Sequence, residues 1–111
     1  MSIWALGINH KTAPVAVRER VAFDPASMPS VLKKLQELDS VSEVVVLSTC
    51  NRTEIYLTAD DHCPDLISHW LEQNQQIGRV DLDASMYYLS EDQAVSHTMR
   101  VASGLDSLVL G

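Results

Sequence analysis

Four consecutive apolar residues, Val44-Val45-Val46-Leu47, run without alternation into the polar stretch Ser48-Thr49-Cys50-Asn51-Arg52, and an alternating segment follows at once over residues 53–59. The first run is short and β-branched, which favours a strand over a helix, and its lack of a polar face predicts a central strand covered on both sides over residues 44–48. In the second segment Ile55 and Leu57 fall on one face and Glu54, Tyr56 and Thr58 on the other, the period of a half-buried strand. The turn between them is Cys50-Asn51-Arg52, so they are expected to pair as an antiparallel hairpin. Any fold for this chain has to be built around that hairpin.

The flanking segments supply the remaining elements. Residues 3–8 read as a first strand, closed by Asn9-His10-Lys11, and Gly7 within it hints at a close backbone approach. Pro14 suits the first position of a short helix running towards Val21, which Asp24-Pro25 ends. From Met28 onwards Val31, Leu32, Leu35 and Leu38 recur at helical spacing, with Lys33, Lys34, Gln36 and Glu37 on the other face. After Pro64, the residues Leu66, Ile67, Trp70, Leu71 and Ile77 predict one further amphipathic helix ending near Gly78, and residues 86–89 a fourth strand. The resulting β-α-β-β-α-β order is that of an α+β, ferredoxin-like split βαβ fold, with one four-stranded sheet backed by two helices. Ser90-Glu91-Asp92-Gln93 reads as a capping box that opens an extra C-terminal helix ending at Ser103-Gly104.

With 111 residues the chain fits a single domain, 1–111, without internal repeat or linker. It holds no apolar run long enough to span a bilayer, and Met1-Ser2-Ile3-Trp4 lacks the features of a signal peptide, so a cytoplasmic protein with reduced thiols is expected. The net charge of −7 is uneven: residues 1–59 hold six basic and six acidic residues, residues 60–111 two basic and nine acidic. Phosphate binding would therefore be confined to the first half, where Lys11, Arg18, Arg20, Lys33 and Lys34 outnumber Glu19 and Asp24. A solvated helix face accounts for such an excess as well, and composition does not describe a general nucleic-acid binder. The apolar end, Leu108-Val109-Leu110-Gly111, is expected to belong to a longer protein.

Cys50 is the residue best placed for chemistry, because it leaves an apolar strand into a polar turn where Thr49 and Asn51 offer hydrogen bonds and Arg52 brings a cation that favours the thiolate. A small core cysteine at a strand end is the alternative. Asp61-His62-Cys63 with His69 matches no zinc spacing, so no metal site is expected, and acidic neighbours disfavour a Cys63 thiolate.

Three segments extend the reading: Gly7-Ile8-Asn9-His10-Lys11-Thr12-Ala13-Pro14, Leu47-Ser48-Thr49-Cys50-Asn51-Arg52-Thr53-Glu54, and the stretch from Arg100 through Ser103-Gly104-Leu105-Asp106-Ser107 to Gly111. In order and spacing they resemble the catalytic N-terminal domain of glutamyl-tRNA reductases, which reduce glutamyl-tRNA to glutamate-1-semialdehyde with NADPH in tetrapyrrole (haem) synthesis. The resemblance implies that Cys50 attacks the ester and holds glutamate as a thioester, that Arg52 grips the glutamate carboxylate, and that Thr49 and Ser107 bind substrate. It gives His97 a place near the reaction centre, orienting substrate or moving a proton, and leaves Asn51, Glu54, His10 and Lys11 as supporting residues. Thr49 and Ser107 read equally well as turn or helix-end caps, and Glu54 as a partner for Arg52 or His10.

No Gly-x-Gly-x-x-Gly follows a predicted strand, so the NADPH implied by the resemblance is expected to bind in a further domain and not to this chain. A homodimer formed through a helical C-terminal domain, and contact with the downstream aminomutase, are implied in the same way. Two rival readings remain: a non-catalytic RNA-binding module, since RNA-recognition motifs share the split βαβ sheet, and a cysteine-dependent esterase using Cys50 and His97.

Overall fold

The computed structural model describes residues 1–104. Its elements are β1 (Ser2–Asn9), α1 (Val15–Val21), a 3₁₀ turn (Pro25–Ser27), α2 (Met28–Gln36), β2 (Glu43–Ser48), β3 (Arg52–Ala59), α3 (Cys63–Asn74), α4 (Arg79–Ser85), β4 (Tyr87–Ser90) and α5 (Glu91–Ala102). The four strands form one sheet in the order β2-β3-β1-β4, with every neighbouring pair antiparallel. Strand β3 thus lies between β1 and β2, and β1 between β3 and β4, which is the split βαβ arrangement expected from the element order.

Strand alternation divides the sheet into two faces with different tasks. Leu6 and Ile8 of β1 and Ile55 and Leu57 of β3 point into the main core, where they meet Val21 of α1, Val31 and Leu35 of α2, Ile67 and Leu71 of α3, and Leu82 of α4. Phe23 closes one side against Trp70, with ring centroids 6.0 Å apart. Residues one position out of phase, among them Gly7, Asn9, Arg52, Glu54 and Tyr87, lie on the opposite face. Helix α5 packs against β1 and β4.

Several expectations need correction. Residues 44–48 were expected to form a central strand, but β2 pairs only with β3 and is an edge. Val44 and Val46 pack on the core, whereas Val45 is 62% exposed on the other face, because α5 lies over β1 and β4 and not over β2. Continuous apolar character is therefore no guide to position in this sheet. The single helix expected up to Gly78 ends at Asn74, and α4, which was not foreseen, follows it. Pro14 is the N-cap of α1 rather than its first residue. Ser90 is the N-cap of α5 but makes no side-chain capping bond, so the capping box is not formed.

Gly7 meets its expectation in full. It faces Glu54 across the β1–β3 ladder, and a Cβ at this position would lie 2.3 Å from the Thr53 carbonyl oxygen and 3.0 Å from Glu54 Cγ. The missing side chain leaves the space that Glu54 fills.

Candidate active site

The site lies where the C-terminal ends of β1 and β2 meet the start of β3. Thr49, Cys50 and Asn51 form the hairpin loop, closed by the Thr49 N–H donating to the Arg52 carbonyl at 2.7 Å. The Thr49 hydroxyl accepts from the backbone N–H groups of Asn51 and Arg52, both at 3.2 Å, and so acts as the cap of this turn. Below it, Ser48 Oγ accepts from Phe23 N–H at 2.9 Å and lies 3.1 Å from Thr53 Oγ1, anchoring the hairpin base to the segment after α1. Cys50 is exposed at the tip, and its thiol has no hydrogen-bond partner among the described residues.

Two residues on from Cys50 the environment changes from open to buried. Arg52 is only 6% exposed and Glu54 is fully buried, with Arg52 Nη1 donating to Glu54 Oε1 at 2.7 Å. The other carboxylate oxygen, Glu54 Oε2, pairs with Nε2 of His97 from α5. A carboxylate in its ionised form can only accept, so in that form it takes the His97 Nε2–H as donor. The His97 ring also packs edge-on against Tyr87 of β4, with centroids 5.4 Å apart.

Tyr87 and Tyr56 complete the surroundings of the acid. Burial, followed by the charge of Glu54 and a hydrogen bond to it, raises both phenol pKa values, so both hydroxyls remain protonated donors. Glu54 thereby gathers two cationic or polar side chains and two phenols around one buried carboxylate. This is the condition under which a buried charge is tolerated.

Asn9 extends the cluster at the end of β1. Its Nδ2 donates to the Tyr87 hydroxyl at 3.5 Å, its Oδ1 accepts from Lys11 N–H at 2.8 Å, and its N–H donates to Thr12 Oγ1 at 3.0 Å. The side chain therefore shapes the loop that carries His10 and Lys11. Lys11 is exposed, and His10 is half-buried with its Nδ1 shielded and unpartnered among the described residues. From the other side Arg18 of α1 reaches the Cys50 loop, where Nη1 donates to the Cys50 carbonyl at 3.5 Å and to Asn51 Oδ1 at 3.4 Å.

Of the residues singled out from sequence, Arg52, Glu54 and His97 are brought into one chain of contacts, with Thr49, Cys50 and Asn51 on the adjoining loop. That chain does not reach the Cys50 thiol. Glu54 takes Arg52 and His97 as partners rather than His10, and Ser107 lies outside the described residues. Arg18, Asn9, Tyr56 and Tyr87 were not foreseen as part of the site. The alternation of β3 puts Tyr56 on the face of Glu54, but Tyr87 and Arg18 join only through strand register and helix docking.

Other candidates fall away from this site. Cys63 is fully buried at the start of α3, where burial and then the Asp60 charge push its thiol up to about 12. No group of three His, Cys, Asp or Glu side chains among the described residues could hold a metal ion, and no helix among them is long and apolar enough to cross a membrane. Beside the site, His97 and Arg100 line an open cleft of about 390 Å³ together with Leu89, Asp92, Gln93 and Ser96.

Known proteins resemble this chain in sequence and in fold. Residues 6–111 match the family described as the glutamyl-tRNA(Glu) reductase N-terminal domain. Over its 111 residues the chain is 48% identical to a glutamyl-tRNA reductase of Marinobacter nauticus and 51% identical to one of Pseudomonas putida, covering all of this chain and 26% of either relative. It spans, then, about a quarter of the length of these curated relatives. The solved glutamyl-tRNA reductase of Methanopyrus kandleri superposes with a TM-score of 0.68 over 96% of this chain and 23% of that one; at 24% identity this likeness is one of fold. The chain belongs to the glutamyl-tRNA reductase N-terminal domain family.

Proposed function

We propose that this chain is the acyl-capturing part of a glutamyl-tRNA reductase, with Cys50 as nucleophile. The supporting observation is the exposed Cys50 in the hairpin loop that leads directly into the buried Arg52–Glu54–His97 chain, in a member of this family. The Cys50 thiolate attacks the glutamyl ester carbonyl, the carbon–sulfur bond forms, and the bond to the terminal ribose oxygen breaks. The ribose hydroxyl leaves with a proton, and glutamate remains as a thioester.

Arg52 Nη1 donates to Glu54, which holds the planar guanidinium in place, and in this reading the guanidinium is the group that grips the substrate carboxylate. Glu54 fixes the orientation of both Arg52 and His97, and His97 orients substrate or passes the proton. Thr49 holds the turn under Cys50 and keeps its hydroxyl proton for a substrate contact.

In this reading the overall reaction of the whole protein is NADPH-dependent reduction to glutamate-1-semialdehyde in tetrapyrrole synthesis. The residues of this chain do not fit a dinucleotide: its glycines, at 7, 78, 104 and 111, form no Gly-x-Gly-x-x-Gly turn, and its sheet is antiparallel. What these residues do therefore ends at the thioester. The reading extends to a cytoplasmic homodimer and hand-off to a downstream aminomutase, supported by family resemblance alone. The RNA-recognition alternative loses ground, because α5 packs over β1 and β4 on the sheet face such modules use. Esterase activity becomes the fate of a thioester that water reaches before hydride.

The test is glutamyl-tRNA turnover by the full-length protein carrying this chain, with Cys50→Ser alongside. Semialdehyde formation and the trapped glutamyl-enzyme are both expected to disappear. A variant that still makes semialdehyde refutes the thioester mechanism.

A further inference from the structure

The two arginines beside Cys50 are in opposite electrostatic states. Arg52 is buried and ion-paired with a fully buried Glu54. Among the described residues Arg18, half-buried on α1, makes two side-chain hydrogen bonds, both through Nη1 and both to neutral oxygens of the hairpin loop, at 3.4 and 3.5 Å. Its Nη2 has no partner among the described residues, and its Nε is shielded and equally unpartnered. A guanidinium in this position is a full positive charge at the rim of the proposed nucleophile's loop, uncompensated by any carboxylate among the described residues. Buried or half-buried arginines are ordinarily paired, and this one offers a planar fork of the shape that phosphate and carboxylate accept.

We propose that Arg18 binds the phosphodiester nearest the scissile ester of the RNA substrate, and so selects an aminoacyl ester carried on a nucleic acid over a free ester. This rests on the capture reaction proposed above. When Cys50 attacks, the glutamyl group turns inward towards Arg52 and the leaving ribose is left at the exposed side of the loop. That ribose carries its 5′ phosphate only a few bonds from the ester oxygen. Nη1 of Arg18 already lies against the Cys50 carbonyl, so the unpartnered Nη2 is the donor available to a phosphate oxygen at that side. A charge-assisted contact here is made only when the ribose is correctly seated, which converts phosphate binding into alignment of the ester over the thiol.

The experiment compares two substrates in the full-length protein: glutamyl-tRNA, and the glutamyl ester of adenosine, which has the ribose and base but no phosphate. Arg18→Gln and Arg18→Lys are measured with the parent and with Cys50→Ser, after thermal unfolding has shown that the variants are folded. Arg18→Gln is expected to lower the ratio of kcat/KM for glutamyl-tRNA to that for the adenosine ester at least tenfold. The slope of log(kcat/KM) against log(salt) on tRNA is expected to flatten by about 0.7, the contribution of one phosphate on a single strand. Arg18→Lys, which keeps the charge, is expected to restore most of the ratio. Equal losses on both substrates would show that Arg18 merely pins the loop and would overturn the proposal, as would an unchanged ratio and slope. Failure of the underlying reading is seen separately, as activity that survives Cys50→Ser.

Discussion

Gly7→Ala is a severe test of how the sheet makes room for the site. A Cβ on Gly7 would lie 2.3 Å from the Thr53 carbonyl oxygen, 2.9 Å from Glu54 Cα and 3.0 Å from Glu54 Cγ. The first two obstacles are backbone atoms of β3, which is itself held by β2 on its other side, so they cannot rotate away as a side-chain tip would. Relief requires β1 and β3 to separate by several tenths of an ångström or more at the sixth pair of an eight-pair ladder. Replacing Gly by Ala also restricts the unfolded chain, which stabilises by about 0.4–1 kcal/mol where the native site accepts a methyl group. Overpacking costs about 1–3 kcal/mol in ordinary cores, and an obstacle made of backbone puts this site at the upper end. The net expectation is a loss of about 2–3 kcal/mol, or a fall in Tm of roughly 10–20 °C for a domain of this size. The assay is urea and thermal unfolding of the 111-residue chain followed by circular dichroism. A variant within about 0.5 kcal/mol of the parent would mean that β1 and β3 are not packed this closely, and the explanation given for Glu54's location would fall with it.

The β2 edge and the buried Cys63 lead to two further expectations. Val45→Lys is expected to change stability by no more than about 0.5 kcal/mol, because Val45 is 62% exposed on an edge strand. Val46→Lys, on the core side of the same strand, is expected to cost several times more, and equal effects in urea unfolding would refute the edge assignment. Cys63 has its thiol pKa raised from 9.0 to about 12, so the folded state keeps a proton that the unfolded state gives up first. Its contribution is therefore intact below pH 9 and is lost as pH rises from 9 towards 12. At pH 10.5 the parent is expected to have lost about 2 kcal/mol more than Cys63→Ala, each measured against its own value at pH 8, and parallel pH profiles would refute this.

The order of the four strands along the chain and the hairpin were legible because they depend on local periodicity. The alternation Thr53, Ile55, Leu57 against Glu54, Tyr56, Thr58 is visible in the sequence, and the structure uses it to separate the core from the site. What was not legible depends on long-range packing. Whether residues 44–48 form an edge or a centre is decided by where α5 lies, and no property of four apolar residues encodes that. The break between α3 and α4 is equally hidden, since Ile77 sits at a spacing that a single helix would satisfy. The same limit applies to the site: Cys50, Arg52 and Glu54 share one hairpin and could be read together, while Tyr87 meets them from 33 residues beyond Glu54 only because it registers opposite Gly7.

That register gathers the site around a residue with no side chain. Gly7 has Glu54 beside it on β3 and Tyr87 beside it on β4, so the residue without a side chain is flanked by two that lean over it. His97 then descends from α5 onto both, meeting the acid through Nε2 and the phenol ring by its edge. The helix therefore docks on the sheet through the very residues that orient the site, and α5 cannot shift without disturbing Glu54 and, through it, Arg52. The extra helix that lies outside the basic β-α-β-β-α-β order thus has a chemical reason to be present. It closes a buried carboxylate, four residues on from Cys50, under a helix-borne histidine, and in the mechanism proposed above gives that cysteine a fixed set of charges to work against.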